Sequence, residues 1–111
     1  MDVMKIVRDH GVIPVLGLKN PDTAEALAAA LIQGGLPLIE VTLRSEGALE
    51  CLRRIKKAYP EMAVGAGTVL SVEQLNAAAQ AGADYVVAPG FNKKVVARAQ
   101  ELGLPIVATD C

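Results

Sequence analysis

Aromatic side chains are scarce in this 111-residue chain, which holds two Tyr, one Phe and no Trp, 3% in all, against 52% hydrophobic residues. Such a core is built from Ala, Val, Ile and Leu, which suits parallel strands covered by helices better than an all-β sandwich. Cysteine is rarer still, with two residues. Cys51 falls inside a helical pattern and Cys111 is the last residue, a spacing that fits neither a metal site nor a disulfide framework, so both read as reduced thiols. The single histidine, His10, precedes Gly11 at the end of a short helical stretch, where a surface residue is the simpler reading than a base. No basic tract exceeds pairs such as Lys56-Lys57 and Lys93-Lys94, and the formal net charge is -1, which argues against nucleic acid or an anionic membrane as a partner. No apolar run approaches the roughly 18 residues of a membrane span, and Met1 to Arg8 is too polar for a signal peptide. A cytoplasmic protein is expected.

What is present is a repeat. Apolar runs rich in Val and Ile recur at Val12 to Leu16, Leu38 to Leu43, Met62 to Val64, Tyr85 to Ala88 and Ile106 to Ala108, and these predict strands. Helical spacing lies between them: Ala24, Leu27, Ala28 and Leu31 form one apolar stripe, and Ala48, Leu52 and Ile55 a second. Leu75, Ala78 and Ala79 form a third, and Val95, Ala99 and Leu102 a fourth. Asn20-Pro21 reads as a cap before a first-turn proline, Ser71 with Gln74 as a capping box, and Gly35, Gly82 and Gly103 as helix stops. A βα unit of roughly 20 to 25 residues, repeated, gives parallel strands joined by right-handed crossovers. The count is four units plus a fifth strand, preceded by a short helix over Asp2 to Asp9, with no linker to divide residues 1–111 into more than one domain. Both a doubly wound sheet and part of a (β/α)8 barrel satisfy this periodicity, and near-equal units favour the barrel, although a closed barrel usually needs roughly 200 to 250 residues.

In either architecture ligands bind at the C-terminal ends of the strands. Along the second strand the period of two puts Ile39, Val41 and Leu43 on one face and Glu40, Thr42 and Arg44 on the other. A carboxylate in an apolar strand must be paired or must take up a proton, so Glu40 is either half of a buried pair with Arg44 or a proton carrier. The third strand ends in Gly65-Ala66-Gly67-Thr68, where two glycines let another group approach the backbone and Thr68 offers a hydroxyl. The stretch lacks both the full dinucleotide pattern and a P-loop lysine. Ala88-Pro89-Gly90 reads as a plain turn or a ligand wall, and Lys19 as a solvated loop lysine.

Leu38 to Arg44, Val64 to Val69 and Ala88-Pro89-Gly90, in that order, resemble the 2-keto-3-deoxy-6-phosphogluconate aldolase family, which includes 4-hydroxy-2-oxoglutarate aldolases. The similarity runs from about Gly11 to Val107. It implies a (β/α)8 barrel, commonly a homotrimer, that forms pyruvate and an aldehyde by reversible aldol cleavage through a lysine Schiff base, with no metal or organic cofactor. It further implies Glu40 as general acid/base, Arg44 and Thr68 as holders of the pyruvate carboxylate, and Pro89 as site wall. The resemblance puts the Schiff-base lysine on the sixth strand, beyond Cys111, so the 111 residues alone are expected to be inactive. Ala108-Thr109-Asp110-Cys111 stands where a Pro-Gly turn and helix are expected. A half-barrel exposes strand edges, so association with a second copy or a missing half is expected. The alternatives are a non-catalytic assembly unit and a flavodoxin-like sheet binding a small anion.

Overall fold

The computed structural model describes residues 3–11, 15–16, 20–44, 47–89 and 92–109. In chain order the elements are α1 (Val3–His10), β1 (Val15–Leu16), α2 (Pro21–Gln33), β2 (Leu38–Thr42), α3 (Ala48–Ala58), β3 (Ala63–Gly67), α4 (Val72–Ala81), β4 (Tyr85–Pro89), α5 (Lys93–Leu102) and β5 (Ile106–Thr109). Local chemistry sets the helix ends. The Asn20 side chain accepts the Asp22 N–H at 3.0 Å ahead of Pro21. Ser71 accepts the Gln74 N–H at 3.1 Å, while the Gln74 side chain turns back to the Leu70 N–H at 2.8 Å, one residue before the cap itself. Gly82 and Gly103, with φ of 99° and 70°, close α4 and α5 in the left-handed conformation that glycine adopts without a steric cost.

The five strands pair in parallel in the order β1-β2-β3-β4-β5. A doubly wound sheet reverses its strand order part-way, whereas here each strand lies beside its sequence neighbour, as in a (β/α)8 barrel. Helix residues Ala24, Ala28, Leu52, Ile55, Leu75, Val95 and Ala99 share one buried cluster with Ile39, Val41, Val64, Ala66, Val86 and Ala88 of the strands. The helices therefore cover one face. The opposite face carries a smaller cluster of Leu38, Ala63 and Tyr85 with Val3 of α1, flanked by Ile6, Val87 and Val107. The protein has an α/β fold of the (β/α)8 barrel class, with four βα units and a fifth strand preceded by the short α1.

Several element boundaries shift by one residue: β2 ends at Thr42 and not Leu43, β3 begins at Ala63 and not Met62, and β4 and β5 run on to Pro89 and Thr109. β3 continues through Gly65-Ala66-Gly67 instead of stopping at Val64, because the backbone there pairs with β2 up to Thr42↔Gly67 and needs no side chain to do so. The first helix ends at His10, one residue past its sequence pattern, and Asp2 lies outside the described residues. Of the strand expected over Val12 to Leu16, residues 12–14 lie outside the described residues. Among the described residues no helix is long and apolar enough to cross a membrane.

At the N-terminal end of the sheet one lysine joins three elements. Lys56 Nζ donates to Pro60 O at 2.8 Å, Met62 O at 3.0 Å and Asp84 Oδ2 at 2.8 Å, and the same carboxylate oxygen accepts the Val64 N–H at 2.9 Å. Both side chains are mostly buried, at 16% and 20% exposure. By contrast Arg54 meets Asp22 and Glu25 on the surface between α2 and α3. Surface pairs contribute little after screening and side-chain entropy, and a sheltered charge-assisted bond contributes more. Lys56→Met is expected to lower unfolding free energy by about 1.5–3 kcal/mol in urea titration, and Arg54→Ala to leave the midpoint nearly unchanged.

Candidate active site

The C-terminal ends of β2, β3 and β4 bring the expected site residues to one edge of the sheet. The last β2–β3 rung pairs Thr42 with Gly67, and the Leu43 N–H donates to Gly67 O at 2.9 Å. Arg44 and Thr68 therefore each leave the sheet just past the same rung. The Val69 N–H then donates to Val87 O at 3.2 Å, which ties the Thr68 tip to β4 two residues before Pro89. Pro89 is the last residue of β4, opposite Thr109 of β5. Arg44 is exposed in the turn after β2, and Thr68 is half-buried. Thr68 also holds a φ of 58°, the one non-glycine positive φ among the described residues. For a β-branched residue that backbone is strained, by about 1–3 kcal/mol, and such strain concentrates at ligand sites.

Glu40 is the one buried charged residue among those described, 8% exposed. It does not pair with Arg44: no ion pair joins the two. The ion-pair alternative left open by the sequence is thereby excluded, because the turn carries Arg44 out to solvent while Glu40 stays on the inner face. Desolvation by burial pushes the Glu40 carboxyl above its ordinary range. A carboxyl in that condition exchanges protons closer to neutral pH than a solvated one.

The two glycines of β3 make this placement possible. A Cβ on Gly67 would lie 2.2 Å from Glu40 Oε2, and one on Gly65 would lie 2.2 Å from the Tyr85 ring. The groups that approach the backbone here are thus the protein's own carboxylate and phenol. Tyr85 is fully buried and its hydroxyl donates to Ile39 O at 3.0 Å. Burial first, then the negative charge of Glu40 and of Asp84, push its phenol well above the usual range. In the sequence Tyr85 marks only the start of a strand, and the signal that could have found it is the glycine facing it one strand away.

Of the lysines considered from the sequence, Lys56 is engaged at the opposite end of the sheet and Lys93 is exposed at the start of α5. Lys19 and Gly90 lie outside the described residues.

The model of the KDPG and KHG aldolase family matches residues 3–109. The chain belongs to that family. Its curated relatives include the 2-dehydro-3-deoxy-phosphogluconate aldolase of Treponema pallidum, 47% identical over 96 residues covering 86% of this chain and 46% of the relative. The Haemophilus influenzae enzyme of the same name is 39% identical over 104 residues, 94% of this chain and 49% of that one. The 2-keto-3-deoxy-6-phosphogluconate aldolase of Zymomonas mobilis ZM4, solved with 3-phosphoglycerate, superposes with a TM-score of 0.86 at 36% identity, over 96% of this chain and 51% of its own. KDPG aldolase from Legionella pneumophila, solved with pyruvate as a covalent carbinolamine intermediate, gives 0.81 at 33%, over 86% and 47%. This family member spans about half the length of the curated relatives it matches.

Two expectations follow for this aldolase-family chain. The atoms that would meet a Cβ at Gly65 belong to a buried ring, whereas the nearest atom at Gly67 is the mobile end of a Glu side chain. Gly65→Ala is therefore expected to destabilise by about 1–3 kcal/mol, and Gly67→Ala to cost less while displacing Glu40, read by denaturant midpoints together with the Glu40 carboxyl resonance. The second concerns pH. A carboxyl raised on folding contributes stability that is complete below its unfolded value and lost as pH rises through the folded one. Glu40→Gln is expected to match the parent in acid and to exceed it in stability at neutral pH, as urea midpoints from pH 4 to 8 would record.

Proposed function

We propose that this chain supplies the pyruvate half of the active site of a class I aldolase. The reaction is reversible cleavage of 2-keto-3-deoxy-6-phosphogluconate or 4-hydroxy-2-oxoglutarate to pyruvate and an aldehyde. The observation that carries this reading is Glu40, a desolvated carboxyl with a raised pKa lodged against Gly67, one residue from the strained Thr68 tip. In this reading the Arg44 guanidinium and the Thr68 hydroxyl hold the keto-acid carboxylate, since a guanidinium fork matches a carboxylate in two hydrogen bonds. Glu40 carries protons to and from the substrate as carbinolamine and enamine interconvert. Pro89 forms part of the wall. The strand-end rungs that carry Arg44 and Thr68 off adjacent strands support their convergence.

The Schiff-base amine is not among residues 1–111 on this reading, which makes the chain inactive by itself. Lys56, saturated by three oxygens, is unsuited to the part, because iminium formation needs an accessible neutral amine. The 111 residues act as one domain, the N-terminal half of an aldolase barrel, in the cytoplasm. They associate, either as the family trimer or by pairing along β1 and β5, the two edge strands. A solved relative described as a cage made by fusing symmetric oligomeric domains, 33% identical over 86% of this chain, supports an oligomer.

Incubation with pyruvate and borohydride, followed by mass spectrometry, is expected to give no trapped adduct. Pyruvate methyl line broadening should still report binding, and Arg44→Ala should abolish it. A trapped adduct would overturn the placing of the amine, and absent broadening would overturn the half-site. A stable monomer in sedimentation at micromolar concentration would overturn association.

A further inference from the structure

Tyr85 is a buried titratable group on the inner face of the sheet that the proposed chemistry does not use. Three observations relate it to Glu40. Gly65 stands opposite Glu40 in the β2–β3 register and opposite Tyr85 in the β3–β4 register, so the three residues form one row across the sheet. The Tyr85 ring occupies the space that a side chain at Gly65 would fill. Its hydroxyl crosses β3 to donate to the Ile39 carbonyl, the peptide that leads into Glu40, at 3.0 Å. Beneath this row Leu38 and Ala63 complete the small inner cluster with Val3 of α1. A ring alone would satisfy the apolar packing. The hydroxyl adds a hydrogen bond between strands that are not neighbours, β4 and β2, at the level of the carboxyl.

We propose that Tyr85 is a positioning residue for Glu40: its ring is a dry floor under the carboxyl, and its bond to Ile39 fixes the stretch of β2 that carries it. The inference rests on Glu40 being the proton carrier, but its own content is the coupling of two side chains, which can be read without any turnover. The negative charge of Glu40 acts on the Tyr85 phenol, in keeping with that proximity. Loss of the floor admits water to the carboxyl, and solvation favours its charged form.

The test is carbon-detected NMR titration of the full chain labelled at the glutamate carboxyls, in the parent, in Tyr85→Phe and in Tyr85→Ala. The expected result is a graded fall in the Glu40 midpoint: about half a pH unit for Phe, which keeps the ring but frees the β2 stretch held at Ile39, and more for Ala, which removes the floor as well. In the unsubstituted chain the Tyr85 ring protons should shift with the same midpoint as the Glu40 carboxyl. That second reading keeps the test open if Tyr85→Ala does not fold. An unchanged or raised Glu40 midpoint in Tyr85→Phe, or ring protons that show no inflection where Glu40 titrates, would overturn the proposal. A variant that loses stability with the Glu40 midpoint unmoved would make Tyr85 core packing only. Because pyruvate is absent throughout, these outcomes are independent of whether the half-site binds it.

Discussion

The inner face of this sheet is organised by two side chains that are missing. β3 runs Ala63-Val64-Gly65-Ala66-Gly67, and its inward positions between β2 and β4 carry only hydrogen at Gly65 and Gly67. Strands in a parallel sheet stand about 4.8 Å apart, so an inward side chain on the middle strand would ordinarily separate its neighbours' side chains. Here the phenol of Tyr85 and the carboxyl of Glu40 lean into the vacated space from either side. The burial of Glu40, the perturbation of both groups and the hydrogen bond from Tyr85 to Ile39 all depend on that space.

The two ends of the sheet treat charge in opposite ways. At the N-terminal end Lys56 and Asp84 neutralise each other and bind three backbone groups between them. At the C-terminal end Glu40 is buried with no ion pair among the described residues, Arg44 is in solvent, and Thr68 is strained. An arrangement selected for stability alone would bring Arg44 back to Glu40 or replace the carboxyl with an apolar residue.

Much of this was legible in the sequence, for reasons that differ by residue. The strands and helices followed from apolar spacing and from Asn20, Ser71, Gly82 and Gly103, whose chemistry acts within a few residues of itself. The barrel-type strand order was favoured over a doubly wound sheet only by the near-equal units and the family resemblance, since periodicity alone does not say which strand lies next to which, and the observed order agrees with it. Glu40 stood out because a carboxylate in an apolar strand has few options, but the choice between pairing and protonation turned on where the chain carries Arg44 after Thr42. The twin glycines were recognised as points of close approach without revealing what approaches. That answer required knowing that Tyr85 and Glu40, 45 positions apart in the chain, flank the same strand.

The backbone at Thr68 has a consequence for how such a chain changes over time. A threonine held at φ 58° retains about 1–3 kcal/mol of strain that a glycine would release. Random substitution screened only for thermal tolerance would drift toward glycine here and give up both the hydroxyl and the fixed direction of the strand tip. Persistence of threonine at this position in a diversifying population would therefore report selection for something other than folding, and it would do so without any knowledge of the ligand.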